Sequence, residues 1–300
     1  MTQNKGRTTE KESKERKERE ARVFNNVNPA SLDTALGCKY GRLIELIRSS
    51  ERTAIAFSGG VDSTFLLKAW KDSSDIPPLA VFVRSEIIPE REAREAEELA
   101  SAFAVTLEVL TLNSLNDEEF VQNRPDRCYV CKNKIFSAIQ TAARSKGYDR
   151  VVDASNADDD LDYRPGMKAM RELGVSSPLK EAGLTKADIR TLSRLMGLPT
   201  WDKPSMACLA SRFPYGIPLT EKALRMVERA EEILHDRGFS QYRVRCHRDV
   251  ARIEVPPGEM SRLLEPDVRD NVLQQFRDLG FAYVTVDLQG YRTGSLNETL

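Results

Sequence analysis

Ala54-Ile-Ala-Phe-Ser-Gly-Gly-Val-Asp-Ser63 is the stretch on which the fold of this 300-residue chain turns. Small apolar and aromatic residues run into Ser58-Gly59-Gly60. Beyond Val61-Asp62-Ser63 the apolar positions Phe65, Leu66, Leu67, Ala69 and Trp70 recur at helical spacing. The pattern predicts a buried strand, a tight glycine turn and a helix N-terminus. A helix start leaves backbone N–H groups unpaired and carries the positive end of the helix dipole, so it attracts anions. Paired glycines let the backbone come close to a phosphate and take dihedrals closed to other residues. Ser58 and Ser63 add hydroxyl donors. Asp62 is the odd member, because an acid beside phosphates repels them unless it holds a cation or caps the turn.

Outward from this loop the chain alternates strand and helix. A leading helix over 32–47 precedes it. Further strands are expected at 78–85, 105–110 and 150–154, with helices over about 90–104 and 134–146 between them. Such alternation means βαβ units and a parallel sheet covered on both faces. Ligands bind beyond the carboxyl ends of such strands, which would gather the loops after Ser58, Ser85 and Asp153 at one crevice. Thr185-Lys-Ala-Asp188 is a helix N-cap signal, and Leu195-Met-Gly-Leu-Pro199 ends that helix. From Thr220 a second, smaller α/β domain follows. It has helices over 220–237 and 266–279, and strands at 242–247, 251–255 and 282–288. In the first of these strands Tyr242, Val244 and Cys246 face one way and Arg243, Arg245 and His247 the other. That polar face reads either as a solvated surface or as a fork for a carboxylate or phosphate. Cys246 reads as core. The expected division is 1–30, 31–205 and 206–300.

Residues 1–30 open with Glu10–Lys14, Glu12–Arg16, Glu15–Arg19 and Glu18–Arg22, acid-to-base pairs at i,i+4 with almost nothing apolar to bury. A charged, disordered tail is expected there. The formal net charge of −1 argues against a chain-wide nucleic-acid surface. No apolar run reaches a membrane span, and no signal-peptide core is present, so a cytoplasmic protein without membrane partners is expected.

In a reducing compartment five cysteines, an odd number, point to metal or catalytic thiols rather than disulfides. Cys128 and Cys131 form a Cys-x2-Cys, and Cys208 follows far along the chain. No second pair and no histidine lies at zinc spacing. Three readings stay open. Three thiolates with a vacant fourth position suit a [4Fe–4S] cluster. Alternatively Cys128 and Cys131 form a redox dithiol, with Cys208 a nucleophile activated by Lys203 or Arg212. Or the thiols are inert. Past the strand ending at Asp153, the acids Asp158, Asp159, Asp160 and Asp162 offer carboxylates for Mg²⁺, Asp160 being the choice here, or else form a solvated acidic loop.

No Gly-x4-Gly-Lys-Ser/Thr occurs, so the phosphate loop is not of the Walker type. Ser58-Gly-Gly-Val-Asp-Ser63 resembles instead the PP-loop of ATP pyrophosphatases, which attack the α-phosphate of ATP. Taken with Asp162-Tyr-Arg-Pro-Gly166, with Lys203-Pro through Cys208-Leu-Ala-Ser-Arg-Phe-Pro-Tyr-Gly216 and with Arg243-Val-Arg245 through Ala251-Arg-Ile-Glu254, it is similar to the LarE family from about Ala35 onward. That resemblance implies an adenine nucleotide alpha hydrolase-like sheet domain. It implies an ATP-dependent sulfur transferase that adenylates a carboxylate of a pyridinium dicarboxylate mononucleotide and makes a thiocarboxylate, for the nickel-pincer nucleotide cofactor. One branch of the family sacrifices the sulfur of a cysteine at the position of Cys208. The other holds a [4Fe–4S] cluster on three cysteines, here Cys128, Cys131 and Cys208. ATP would lie on Ser58, Gly59, Gly60, Val61, Asp62 and Ser63, with Mg²⁺. Lys203 would stabilise charge at the adenylating centre or form a surface ion pair. Arg212, Arg243 and Arg245 would grip the substrate. A sulfur donor and a homo-oligomer are further expectations. A PP-loop tRNA thiolase with a cluster is the rival enzyme, opposed by the charge balance. An amidating synthetase leaves the cysteines unexplained, and a nucleotide- and cluster-binding sensor is the rival outside catalysis.

Overall fold

A computed structural model describes residue 27 and residues 32–161, 165–205, 207–292 and 294–296, the side chains of 160 and 161 excepted. The charged tail expected over 1–30 thus lies almost wholly outside the described residues, as does 162–164 of the Asp-Tyr-Arg-Pro-Gly motif.

The first sheet is built from β1 (Thr53–Ala56), β2 (Leu79–Arg84), β3 (Thr106–Thr111) and β4 (Arg150–Val152), in the order β3-β2-β1-β4. All its pairings are parallel, with Ile55 opposite Ala80 on one side and Val152 on the other. Ala54, Ile55, Leu79, Ala80 and Val81 are buried, as central parallel strands require. Helix α1 (Thr34–Arg48) precedes β1, helices α2 (Val61–Ser73), α3 (Glu90–Ala102) and α4 (Arg127–Ser145) intervene between the strands, and α5 (Pro165–Glu172) and α6 (Lys186–Leu195) follow β4. α6 starts on a capping box between Thr185 and Asp188, the local signal visible in the sequence. The strand order reverses between β1 and β4, so the topological switch point, where an open α/β sheet takes ligands, lies where the glycine loop leaves β1.

A second sheet has the order β5-β6-β7: β5 (Arg243–His247) antiparallel to β6 (Val250–Glu254), which is parallel to β7 (Tyr283–Val286). α7 (Glu221–Asp236) and α8 (Pro266–Leu279) accompany it. Leu224, Val227, Leu234, Val244, Cys246, Ile253 and Phe276 share one apolar cluster. Cys246 is core, and burial followed by Asp249 pushes its thiol up to about 11.

The described residues divide into two compact units. The first takes those up to Arg84, with Glu90–Thr111 and Lys132–Lys203. The second takes Ser85–Pro89, Leu112–Cys131 and those from Pro204 on. The division is therefore discontinuous, whereas the sequence suggested a single cut near 205. Burial explains it: Ile87, Phe120 and Val130 belong to the apolar cluster of the second sheet. The Cys-x2-Cys also differs in setting from the expected helix over 134–146, because α4 already begins at Arg127. Cys128 and Cys131 lie one turn apart at its start, as its second and fifth residues.

Candidate functional site

In the first unit the loop after β1 is held by its own hydroxyls. Ser58 Oγ and Ser63 Oγ lie 3.1 Å apart, and the Ser58 N–H donates to Ser63 Oγ at 3.3 Å. Gly60 N-caps α2 in an extended conformation and no side chain caps its amides. That leaves the helix start open to an anion. Gly59 has φ of 69°, and a Cβ there would come within 3.2 Å of Ala96 Cβ on α3. Gly60 needs neither freedom, since its φ is −79°.

Asp62 points back under the loop. Lys186, at the first position of α6, donates to Asp62 Oδ2 at 2.7 Å and Asn156 Nδ2 donates to the same oxygen at 3.4 Å. Asp62 Oδ1 is buried with no hydrogen-bond partner among the described residues. Burial first, with Asp159 adding to it, raises the Asp62 carboxyl above its ordinary range, although Lys186 pulls the other way. A buried carboxylate oxygen left unpaired is costly and fits a cation-ligating role. Asp158 accepts the Lys186 N–H at 2.8 Å, and Asp159 accepts the Asn156 N–H at 2.8 Å, so both are engaged in holding the loop. The side chain of Asp160, the carboxylate singled out for Mg²⁺, lies outside the described residues.

Lys203 is neither on the surface nor unattached. Its ammonium donates to Glu92 Oε2 and Glu95 Oε2, each at 2.7 Å, and to the Gly59 carbonyl at 3.2 Å. It therefore backs the glycine turn from behind. Lys186, Asn156, Glu92 and Glu95 were not singled out from the sequence. Lys186 was visible only as the residue inside a helix cap, because the pairing with Asp62 joins segments far apart in the chain.

In the second unit Cys208 N-caps a short 3₁₀ turn, Leu209–Arg212. Its carbonyl accepts from the Ser211 N–H and Ser211 Oγ. Cys128, Cys131 and Cys208 are all half-buried, and Cys131 and Cys208 pack against the same apolar cluster. Among the described residues no three His, Cys, Asp or Glu side chains are grouped to hold one metal ion. A [4Fe–4S] cluster is larger than an ion and its thiolates stand wider apart. Three half-buried thiols, two of them against an apolar wall, are the soft donor set such a group takes.

The three arginines expected to grip substrate are buried. Arg212 is 0% exposed. It meets Glu231 with Nε and Nη2, both at 2.8 Å, while Nη1 donates to the carbonyls of Ala207 and Cys208. Burial works against its charge, yet Glu231 more than restores it and holds its pKa above the ordinary value. Arg245 forks onto Glu254 at 2.9 and 3.0 Å and reaches Ser295 Oγ at 2.8 Å. Arg243 donates to the carbonyls of Tyr242 and Ser205 and lies over the Tyr291 ring. Burial and the neighbouring Arg212 push Arg243 down to about 10. Arg243 and Arg245 are thus interior, and the solvated alternative is excluded for them, whereas His247 at the end of β5 is exposed. A charge can be buried there because Glu231 and Glu254 are buried with it. As they stand, the forks of Arg212 and Arg245 are occupied by these carboxylates. Arg212 bears on the Cys208 backbone directly.

No described helix is long and apolar enough to cross a membrane. No protein-family model matches the chain. It is 38% identical over 266 residues, 88% of its length and 96% of the relative's, to a protein of Lactiplantibacillus plantarum named pyridinium-3,5-bisthiocarboxylic acid mononucleotide synthase. It is also 38% identical over 265 residues to the uncharacterized protein slr1717 of Synechocystis sp., of which it covers 99%. With the uncharacterized protein MJ0830 of Methanocaldococcus jannaschii it shares 28% over 244 residues, 81% of this chain and 92% of that one. By its identity over nearly the whole length of the synthase, together with the glycine loop and the Cys208 motif set out above, the chain belongs to the LarE family.

Proposed function

We propose that the chain is an ATP-dependent sulfur transferase. It adenylates a carboxylate of a pyridinium-3,5-dicarboxylate mononucleotide and converts it to a thiocarboxylate, in nickel-pincer nucleotide cofactor biosynthesis. The observation that carries this reading is the 38% identity, over 88% of the chain, to a relative named for the bisthiocarboxylic product. An open helix start at the switch point of the first sheet supports it.

A carboxylate is a poor electrophile. Attack of its oxygen on the α-phosphorus of ATP expels pyrophosphate and leaves an acyl-adenylate. Attack of a sulfur nucleophile on that acyl carbon then expels AMP and leaves the carbon–sulfur bond. The amides of Gly60, Val61 and Asp62 and the hydroxyls of Ser58 and Ser63 would receive the departing pyrophosphate. Asp62, with its unpaired Oδ1, would hold Mg²⁺, which when bound neutralises charge on the leaving group. Lys186 would pass from Asp62 to a phosphate oxygen. Lys203 would keep the turn in shape, and any charge it lends to the adenylating centre requires it to leave Glu92 and Glu95. Cys128, Cys131 and Cys208 would hold a [4Fe–4S] cluster, which when bound supplies an iron free of protein ligands to carry sulfide. Arg243 would meet the substrate's phosphate or second carboxylate, Arg245 would do so only on leaving Glu254, and Arg212 would steady the Cys208 backbone. A cytoplasmic setting, a separate sulfur donor and a homo-oligomer belong to the same reading.

The test is anaerobic turnover of the full chain with ATP, Mg²⁺, sulfide and the dicarboxylate mononucleotide. Pyrophosphate release dependent on the mononucleotide, with one oxygen of the product replaced by sulfur, is expected. Pyrophosphate release that ignores the mononucleotide would sink the substrate assignment. Iron and labile sulfide content, lost in Cys208→Ala, tests the cluster separately.

A further inference from the structure

The second unit contains a device that the resemblance does not account for, centred on Asn123. This residue is 0% exposed and sits at φ 53° just past the one-turn helix Glu118–Val121. Asparagine tolerates that left-handed position better than most residues. Its side-chain amide donates to the Pro214 carbonyl at 2.8 Å and to the Ile217 carbonyl at 3.0 Å. Its backbone carbonyl accepts from the Gly216 N–H at 2.9 Å. The Pro-Tyr-Gly turn is thus gripped at three points by one residue.

The remaining Asn123 oxygen, Oδ1, accepts from Arg127 Nη1. Arg127 begins α4 and is the residue before Cys128. It is 2% exposed, its guanidinium lies 4.6 Å over the Tyr215 ring, and its Nε has no partner among the described residues. No acid is paired with it there. Among the described residues this buried guanidinium is held by Asn123 and the face of Tyr215. Such a charge is expensive to place, and it joins the turn carrying Cys128 and Cys131 to the loop that follows Cys208. From Cys208 to Gly216 the chain has little slack: the 3₁₀ turn, the buried Phe213 and then the gripped turn.

We infer that Asn123, Arg127 and Tyr215 form a positioning clamp that sets the Cys128–Cys131 turn against the Cys208 loop, so that the three thiols act on one group. The inference rests on the reading that these three cysteines work together, and it concerns the protein before any cluster is bound. The three are assigned a positioning role, not a catalytic one.

The test uses the full chain, apo and reduced, titrated anaerobically with arsenite. As(OH)3 takes three thiols, forms three As–S bonds and releases three waters, with no change of oxidation state. Cysteines left over are alkylated and identified by mass spectrometry. In the wild type Cys128, Cys131 and Cys208 should be protected together. Asn123→Gly keeps the left-handed backbone at no cost and removes only the amide. Tyr215→Ala removes the ring, and Tyr215→Phe restores its face. In Asn123→Gly and Tyr215→Ala, Cys208 should be alkylated while the Cys128–Cys131 pair remains protected, with arsenite held roughly tenfold more weakly. Tyr215→Phe should behave as wild type. Cys208 protected in both disrupting variants, with unfolding as cooperative as wild type, would overturn the clamp alone. A wild type that leaves Cys208 open would overturn the three-thiol reading and the clamp with it. If one disrupting variant does not fold, the other decides.

Discussion

At the scale of single residues, two adjacent glycines carry different loads. Gly59→Ala must strain a positive φ and crowd Ala96; a loss of about 1–3 kcal/mol is expected, with ATP binding weakened. Gly60→Ala meets only Ser58 Oγ at 3.4 Å and should cost about 1 kcal/mol or less in stability. Denaturant unfolding of the two variants side by side checks this, and equal losses would refute it. Asp62 makes a second residue-level case. Its carboxyl is raised in the folded chain, chiefly by burial, so the folded state binds the proton more readily than the unfolded one. Stability of the ligand-free protein should therefore fall as pH climbs from the ordinary carboxylate range through the raised value. Asp62→Asn should flatten that slope without destabilising the ligand-free chain, while abolishing Mg²⁺-dependent ATP binding. Unfolding midpoints across the acidic range, with calorimetry of ATP, measure both.

At the scale of elements, the turn after Cys208, α7 and β5 are joined through one buried carboxylate. Glu231 is buried on α7, accepts from Arg212 twice and also accepts the Val244 N–H at 3.0 Å. Burial alone would raise its carboxyl, but Arg212 reverses this and holds it below the ordinary range. Its folded pKa is depressed, so its contribution is present above the ordinary carboxylate range and is lost as pH falls through the depressed value. Glu231→Ala strands the Arg212 charge and should cost about 3–5 kcal/mol, whereas Glu231→Leu with Arg212→Met should recover much of it. Urea unfolding of the single and double variants decides; a single variant within about 1 kcal/mol of wild type would show that the pair is not buried as described. Element existence was largely legible in the sequence. α8 runs over the expected residues, and the strands shift by a residue or two. The start of α4 was not legible. Cys-Tyr-Val-Cys has no helical periodicity of its own, and in the fold Arg127 is bonded to Asn123 and Val130 is buried in the second unit's apolar cluster.

At the scale of the whole molecule, the proposed reaction divides its chemistry between the two units. Adenylation is assigned to the loop after β1 and sulfur delivery to the thiols of the second unit. Cys208→Ser should therefore retain mononucleotide-dependent exchange of pyrophosphate into ATP at a rate within about threefold of wild type, yet yield no thiocarboxylate. Isotope exchange and product mass spectrometry check this together, and loss of exchange in Cys208→Ser would refute the division. By itself the sequence determined the parallel sheet and the phosphate loop, because hydrophobic period and the glycine turn are local signals carried by neighbouring residues. It also singled out Cys128, Cys131 and Cys208 as the candidate thiols. Only tertiary structure decided what the charged residues do. Lys203 backs the glycine turn, Lys186 holds Asp62, and Arg212, Arg243 and Arg245 lie inside the second unit. The reason is that an ion's role depends on which opposite charge is buried with it, and those partners lie far away along the chain.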